Sequence, residues 1–304
     1  PPRSTLFPYT TLFRSVIDEE HIRLAHLNSA VPFCKYVGIA AKLKRLPVLW
    51  HIREDPAGKR VRRLKKWIRR LSDRILVVSS ELEMAFRGEG RVVKIYNGVS
   101  TETFRPGLDG SALRERYGIP ADAFVFGIVG TIEERKGVLE FLRAARRVTD
   151  SGADIFFLVV GDGLPEDERQ VRDYIRAQGG LGERVVMTGR LACIPEVMAA
   201  IDILVIPSLW EGFPRSLIEA MASGKPAIAT DVGEIPWMIE DGRTGFLISR
   251  GDEEALHRAM LAALERRFEL REMGLQARAK AEKEYSIERH VQAVCRQYEE
   301  LLSR

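Results

Sequence analysis

The chain has 304 residues, 45% of them hydrophobic and 30% charged, with a net charge of +4, long enough for two domains that each bury a core. No uninterrupted apolar run reaches the roughly 18–20 residues of a membrane span. Neither a helix-turn-helix pattern nor basic and aromatic interleaving supports a nucleic-acid partner. Three widely spaced cysteines, Cys34, Cys193 and Cys295, make no disulfide framework or metal cluster and favour a reducing cytoplasm.

From the start, Thr5 to Ser15 reads Thr-Leu-Phe-Pro-Tyr-Thr-Thr-Leu-Phe-Arg-Ser. This matches the in-frame translation of a sequencing-library adapter. Residues 1–15 are therefore set aside from fold reasoning, and the natural sequence is expected to begin near Val16, inside a domain. Ile22 to Leu27 is a predicted strand, followed by a helix over Phe33 to Leu43 and a second strand, Pro47 to His51. Arg74 to Ser79 and Val92 to Tyr96 are two more. Short apolar strands separated by helical patterns point to a parallel sheet covered on both faces.

Between the second and third strands, residues 58–71 predict a helix. Val61, Leu64, Ile68 and Leu71 fall on one stripe, and eight lysines and arginines occupy residues 59–70. Two readings stand. The helix lies on an anionic membrane surface and brings the protein to a lipid-linked acceptor, or it is a solvated helix whose stripe packs on its own sheet.

Residues 107–121 are polar and read as a linker, with a helix at Leu113 to Tyr117. A second domain then alternates strand and helix: strands at Phe124–Gly130, Ile155–Gly161, Val185–Thr188, Ile203–Ile206, Pro226–Thr230 and Phe246–Ile248, with helices between. Alternation without hairpin signals predicts an α/β fold, a doubly wound parallel sheet with ligands at the carboxyl ends of its strands. Helical stretches at Glu253–Arg267 and Ala277–Leu302 close the chain.

The densest motif is residues 207–231. The strand ending at Ile206 opens into a loop with Glu211, Gly212, Phe213 and Pro214, and a helix predicted from about Ser216 carries Glu219. A helix N-terminus suits a phosphate. The two carboxylates would repel one, so they are expected to accept bonds from hydroxyls. For Glu219 the alternative is a capping box with Ser216, which uses the same carboxylate on a backbone N–H. For Glu211 the alternative is a solvated loop acid. The loop Gly130-Thr-Ile-Glu-Glu-Arg-Lys-Gly137 is a strand-to-helix turn of the phosphate-cradling kind, in which Lys136 is either an anion ligand or an ordinary surface lysine. His51, at a strand end, is either a core histidine or a cleft residue.

Glu211-x7-Glu219 with Gly-Phe-Pro between, Glu-Ala-Met-Ala-Ser-Gly-Lys-Pro after it and Gly-Glu-Ile-Pro at 233–236 resembles the retaining glycosyltransferase family 4. The resemblance runs from about Val16 to the C-terminus. It implies the GT-B architecture, two Rossmann-like domains facing a cleft: residues 16–106 as a partial first domain, 122–285 as the donor domain, and 286–304 as a helix crossing back. It also implies a nucleoside-diphosphate sugar as donor and a glycan or lipid-linked hydroxyl as acceptor. Within it, Glu211 contacts the donor sugar, Glu219 the ribose and Lys136 the diphosphate. Gly130, Thr131, Gly212, Phe213, Pro214 and Leu217 lie around the donor, Arg190 and Leu191 lie against the base, and His51 faces the sugar. The family's arginine after the first glycine is replaced by Thr131, which leaves Arg135 as a substitute cation. The family's glycine-rich first loop has no counterpart after Val16. No Asp-x-Asp occurs, and such enzymes generally dispense with a metal, so neither metal nor cofactor is expected. The rivals are a GT-B sugar-nucleotide epimerase and a nucleotide-sugar-binding fragment without turnover.

Overall fold

The computed structural model describes residues 8–53, 59–149 and 154–303. The chain divides into two compact units, residues 1–97 with 288–304, and residues 98–287.

Unit 1 runs α1 (Pro8–Glu19), β1 (Ala25–Leu27), α2 (Cys34–Leu43), β2 (Val48–Ile52), α3 (Lys59–Leu71), β3 (Arg74–Val77), α4 (Ser80–Ala85) and β4 (Val92–Lys94). Its four strands pair in sequence order, all parallel. Residues 1–7 of the segment set aside above lie outside the described residues. Residues 8–15 form helix, because Tyr9 and Phe13, one turn apart, both set their rings edge-on to Phe33 at 5.1 and 5.2 Å. On α3 the whole stripe, Val61, Leu64, Ile68 and Leu71, is buried. The apolar face is thus spent on the unit's own core, and Arg62, Arg63, Lys66 and Arg70 point outward. The core-packing reading of this stripe holds.

Unit 2 contains α5 (Ser111–Arg116), β5 (Phe124–Val129), a one-turn 3-10 helix (Glu134–Lys136), α6 (Val138–Thr149), β6 (Ile155–Val160), α7 (Pro165–Ala177), β7 (Val185–Gly189), α8 (Ile194–Ala200), β8 (Ile203–Ile206), α9 (Arg215–Ala222), β9 (Ala227–Thr230), α10 (Ile235–Met238), β10 (Gly245–Ile248), α11 (Glu253–Glu265) and α12 (Leu270–Glu284). The strands form one parallel sheet in the order β10-β9-β8-β5-β6-β7. The order reverses between β5 and β8, and a doubly wound sheet offers its ligand crevice at such a reversal. The central strands are apolar on both faces because helices cover both. Phe126, Phe141 and Phe157 knit β5, α6 and β6 together through a stacked and an edge-on contact.

The boundary differs from the expected linker at 107–121. The division falls at Asn97/Gly98, because the segment after it is bound to unit 2. Arg278 donates to the carbonyls of Thr101 and Phe104. Arg114 donates to those of Ala123 and Ala200 and pairs with Asp202 at 3.0 Å. The closing helical stretch is two helices, α12 and α13 (Ile287–Leu302). They break at Tyr285–Ser286 because Val99 inserts there, its N–H donating to Tyr285 and its carbonyl accepting from Ile287. All of α13 after Ile287 belongs to unit 1.

Candidate active site

In unit 2 the carboxyl ends of β5 and β8 lie side by side. β5 runs out into Gly130 and Thr131, β8 into Pro207 and Ser208, and both loops border one small pocket with Lys136, Glu211 and Ser216. Gly137 closes the 3-10 turn with φ of +71°, and a Cβ there would overlap the Pro207 carbonyl oxygen. The turn can therefore press against the end of β8 only with glycine at this position. Gly233, at φ +56°, does the same for the other loop, since a Cβ would overlap the Glu211 carbonyl oxygen.

Glu211 is 5% exposed, so it is not a solvated loop acid. Its Oε1 accepts from Lys136 Nζ at 2.6 Å and from the Ser208 hydroxyl at 2.8 Å. Its Oε2 has Arg135 at 3.9 Å. Lys136, which pairs this buried acid, is likewise no ordinary surface lysine. Arg135 is held elsewhere, on Glu133 at 2.5 Å and on the Trp210 carbonyl at 3.2 Å, with its guanidinium over the Trp210 ring. Thr131 is exposed at the mouth.

Helix α9 begins at Arg215 with Pro214 as its N-cap, so Ser216 is already inside the helix and no side-chain cap forms. The capping-box alternative for Glu219 fails for that reason. Its carboxylate instead takes Arg215 at 3.2 Å. Glu219 is buried, and burial pushes its pKa above the usual range against the opposing pull of Arg215. Leu217 is fully buried, and Phe213 turns its ring edge-on to Tyr285 at 5.6 Å. Both side chains are core. Arg190 lies at the end of β7, paired with Asp162 at 3.1 Å beside the exit of β6, with Leu191 next to it. It does not join the Lys136–Glu211 group.

Unit 1 carries its own polar group at the strand ends. His51, on β2, is fully buried, and its ring stacks between His26 at 5.7 Å and His290 at 6.2 Å. Arg53 donates to Asn97 Oδ1 at 2.7 Å, to Asn28 Oδ1 at 3.1 Å and weakly to His51 Nδ1 at 3.5 Å. Burial first, then Arg53 and the neighbouring imidazoles, pulls the His51 pKa down to about 3. His51 Nε2 and His26 Nε2 are buried with no hydrogen-bond partner among the described residues.

Two family models divide the chain between them. Residues 123–266 match glycosyl transferases group 1, and residues 1–103 match glycosyltransferase family 4. The chain belongs to this glycosyltransferase family. The family 4 chain is 30% identical over 214 residues to the lipopolysaccharide core biosynthesis mannosyltransferase LpsB of Rhizobium meliloti, covering 68% of this chain and 60% of that protein. It is 28% identical over 240 residues to an Escherichia coli UDP-Gal:alpha-D-GlcNAc-diphosphoundecaprenol alpha-1,3-galactosyltransferase, covering 73% and 62%. The family 4 chain thus spans about 60% of the length of these curated relatives. Anabaena Alr3699/HepE in complex with UDP-glucose superposes with a TM-score of 0.88 at 24% identity, over 99% of this chain and 84% of that one. This likeness establishes the GT-B fold.

Sequence reading of the family 4 site missed Ser208, Asp162 and the partners of His51. A serine just past a buried strand, and an aspartate between two glycines past another, were signals available at strand ends. His26 and His290 carried none, since only the folded sheet and α13 bring them to His51.

Proposed function

We propose that the protein is a retaining glycosyltransferase that moves a sugar from a nucleoside-diphosphate sugar to an acceptor hydroxyl in cell-envelope or exopolysaccharide glycan synthesis, at the cytoplasmic side of the membrane. One observation carries the reading: a buried carboxylate and a lysine share a hydrogen bond at the adjoining ends of β5 and β8, in front of the start of α9. A donor with both a diphosphate and a sugar would draw the two apart. Its phosphate oxygens take Lys136 and the loop N–H groups of Gly212 and Phe213. Glu211 is then free to accept from sugar hydroxyls. Glu219, one turn into α9, would accept from the ribose, and Arg190 and Leu191 would border the base.

As the glycosidic bond to the diphosphate breaks, negative charge grows on the leaving oxygen, and the Lys136 ammonium stabilises it without a metal ion. Glu211 is assigned as a hydroxyl ligand, not a nucleophile. Retention then follows from attack on the face the diphosphate leaves. In unit 1, His51 and Arg53 would hydrogen-bond hydroxyls of a sugar ligand. Helix α3 would meet anionic lipid by charge alone. The UDP and UDP-glucose found in complex with the Anabaena neighbour, and the UDP-sugar named for the E. coli relative, favour uracil as the base.

Calorimetric titration with UDP, GDP, ADP and their glucose conjugates tests this. Tight binding of one diphosphate, weakened by Lys136→Met, is expected. No binding of any of them would remove the assignment.

A further inference from the structure

The six strands of unit 2 are parallel, so their amino ends gather at the edge opposite the Lys136–Glu211 pair. At that edge lies a cavity of about 570 Å3, within the range of small-molecule sites. Its lining combines three cations, Lys225, Arg267 and Arg271, with the apolar surfaces of Pro106, Phe268 and Leu275.

The cations are not spent on the fold. Among the described residues none of the three has a carboxylate within ion-pair reach. Lys225 Nζ has only the Ala199 carbonyl, at 3.5 Å. Arg267 has only the face of the Phe268 ring, 4.8 Å from its centroid. Asp202, the one acid in the lining, is already engaged: its Oδ2 accepts from Arg114 at 3.0 Å and from the Val125 N–H at 2.8 Å. Burial lowers the Lys225 pKa against the attraction of Asp202, as expected of an ammonium taken from water without a strong partner. Phe268 is 84% exposed, held out beside these charges.

We infer that this cavity binds an organic phosphate, its phosphate on Lys225, Arg267 and Arg271 and its apolar body on Pro106, Phe268 and Leu275. Three cations exceed what one carboxylate balances, and two guanidinium forks with an ammonium match the several oxygens of a phosphate. The site stands independently of the proposed glycosyl transfer. The same chemistry is offered by a soluble phosphate ester and by a phospholipid headgroup.

The test is protection of Lys225 from a pulse of acetic anhydride, read by peptide mass, with exposed Lys283 as internal reference. Phenyl phosphate serves as the soluble probe, and phosphatidic acid vesicles, against phosphatidylcholine vesicles, as the lipid probe. Saturating probe is expected to slow Lys225 labelling by about tenfold, the worth of one charged hydrogen bond. Protection should survive Lys136→Met, which disturbs the other end of the unit. It should be lost in the Arg267→Gln, Arg271→Gln double variant, whose altered side chains are exposed and leave the fold intact. Protection by phenyl phosphate assigns a soluble ligand, and protection by phosphatidic acid vesicles alone assigns a lipid headgroup. Labelling unchanged by either probe, or protection that persists in the double variant or vanishes in Lys136→Met, would overturn the inference.

Discussion

Glu211 Oε1 serves two donors while Oε2 keeps only a distant guanidinium, and this asymmetry makes the pair with Lys136 measurable. Removing the ammonium leaves a buried carboxylate with one hydroxyl donor. Lys136→Met is therefore expected to destabilise unit 2 by about 1–3 kcal/mol, less than a fully enclosed pair would lose because the lysine is partly exposed. Adding Glu211→Gln should recover much of that loss, so urea unfolding of the two singles and the double would show strong non-additivity. Additive effects would mean that the pair is idle. Glu219 should behave oppositely. Its raised pKa means that the folded state prefers the protonated acid, so its charge opposes folding once pH rises above the ordinary carboxylate range. Glu219→Gln is accordingly predicted to raise the melting temperature at pH 7 while weakening binding of free nucleoside diphosphate by roughly ten- to a hundredfold. Glu211→Gln should spare free diphosphate and weaken only the sugar nucleotide. A lower melting temperature for Glu219→Gln with nucleotide affinity intact would return that residue to a structural role. The two glutamates and Lys136 were legible in the sequence because each stands at a fixed offset from glycines and prolines that punctuate strand ends. Arg215 as the partner of Glu219 was not, since Ser-x-x-Glu reads as a cap until Pro214 is seen to be the cap, two residues earlier.

Helix α3 shows how far periodicity reaches. The spacing of Val61, Leu64, Ile68 and Leu71 identified the helix and its inner face, but the same stripe suits a sheet or a bilayer, and only the packed neighbours decide. With the stripe buried, stability and surface charge become separable. Leu64→Ala should cost about 2–4 kcal/mol of stability through the cavity it leaves. Arg63→Glu with Lys66→Glu should leave the melting temperature nearly unchanged. If α3 meets anionic lipid by charge alone, vesicle retention at low salt should disappear in the charge-reversed variant and fall steadily with salt in the parent. Equal retention on neutral and anionic vesicles would exclude that contact. The break between α12 and α13 was equally hidden, because Tyr285 and Ser286 carry no helix-stopping signal. The Tyr285 carbonyl and the Ile287 N–H instead pair with Val99, which is nearly two hundred residues away in sequence.

Across the whole molecule, alternation of strand and helix was enough to foresee two parallel sheets, whereas the limits of the units were not. Composition marks a polar linker at 107–121, but Arg114 ties that stretch to unit 2, and Arg278 the residues just before it, through backbone carbonyls, which no residue pattern announces. The units should also respond differently to acid. His51 is neutral in the folded state down to about pH 3 and near 6.5 when unfolded. Its burial therefore contributes stability that is fully present above pH 6.5 and is lost as pH falls from there toward 3. Linkage gives about 2 kcal/mol lost between pH 7 and pH 5 from this one group, and His26, lowered in the same direction, adds to it. Urea unfolding at the two pH values should show the loss in unit 1, and His51→Gln should flatten the dependence.

Val99 and Ser286 pair as neighbouring backbone although they stand near opposite ends of the 98–287 segment. Unit 2 is thus a cassette whose entry and exit are already fastened together. Joining its two ends into a closed ring would ask almost no rearrangement of the chain, and new termini opened in a surface turn elsewhere would leave the fastening as an internal seam. Among homologous chains of this layout, the natural place to exchange one such unit for another is therefore this single paired gate, cut on both sides at once.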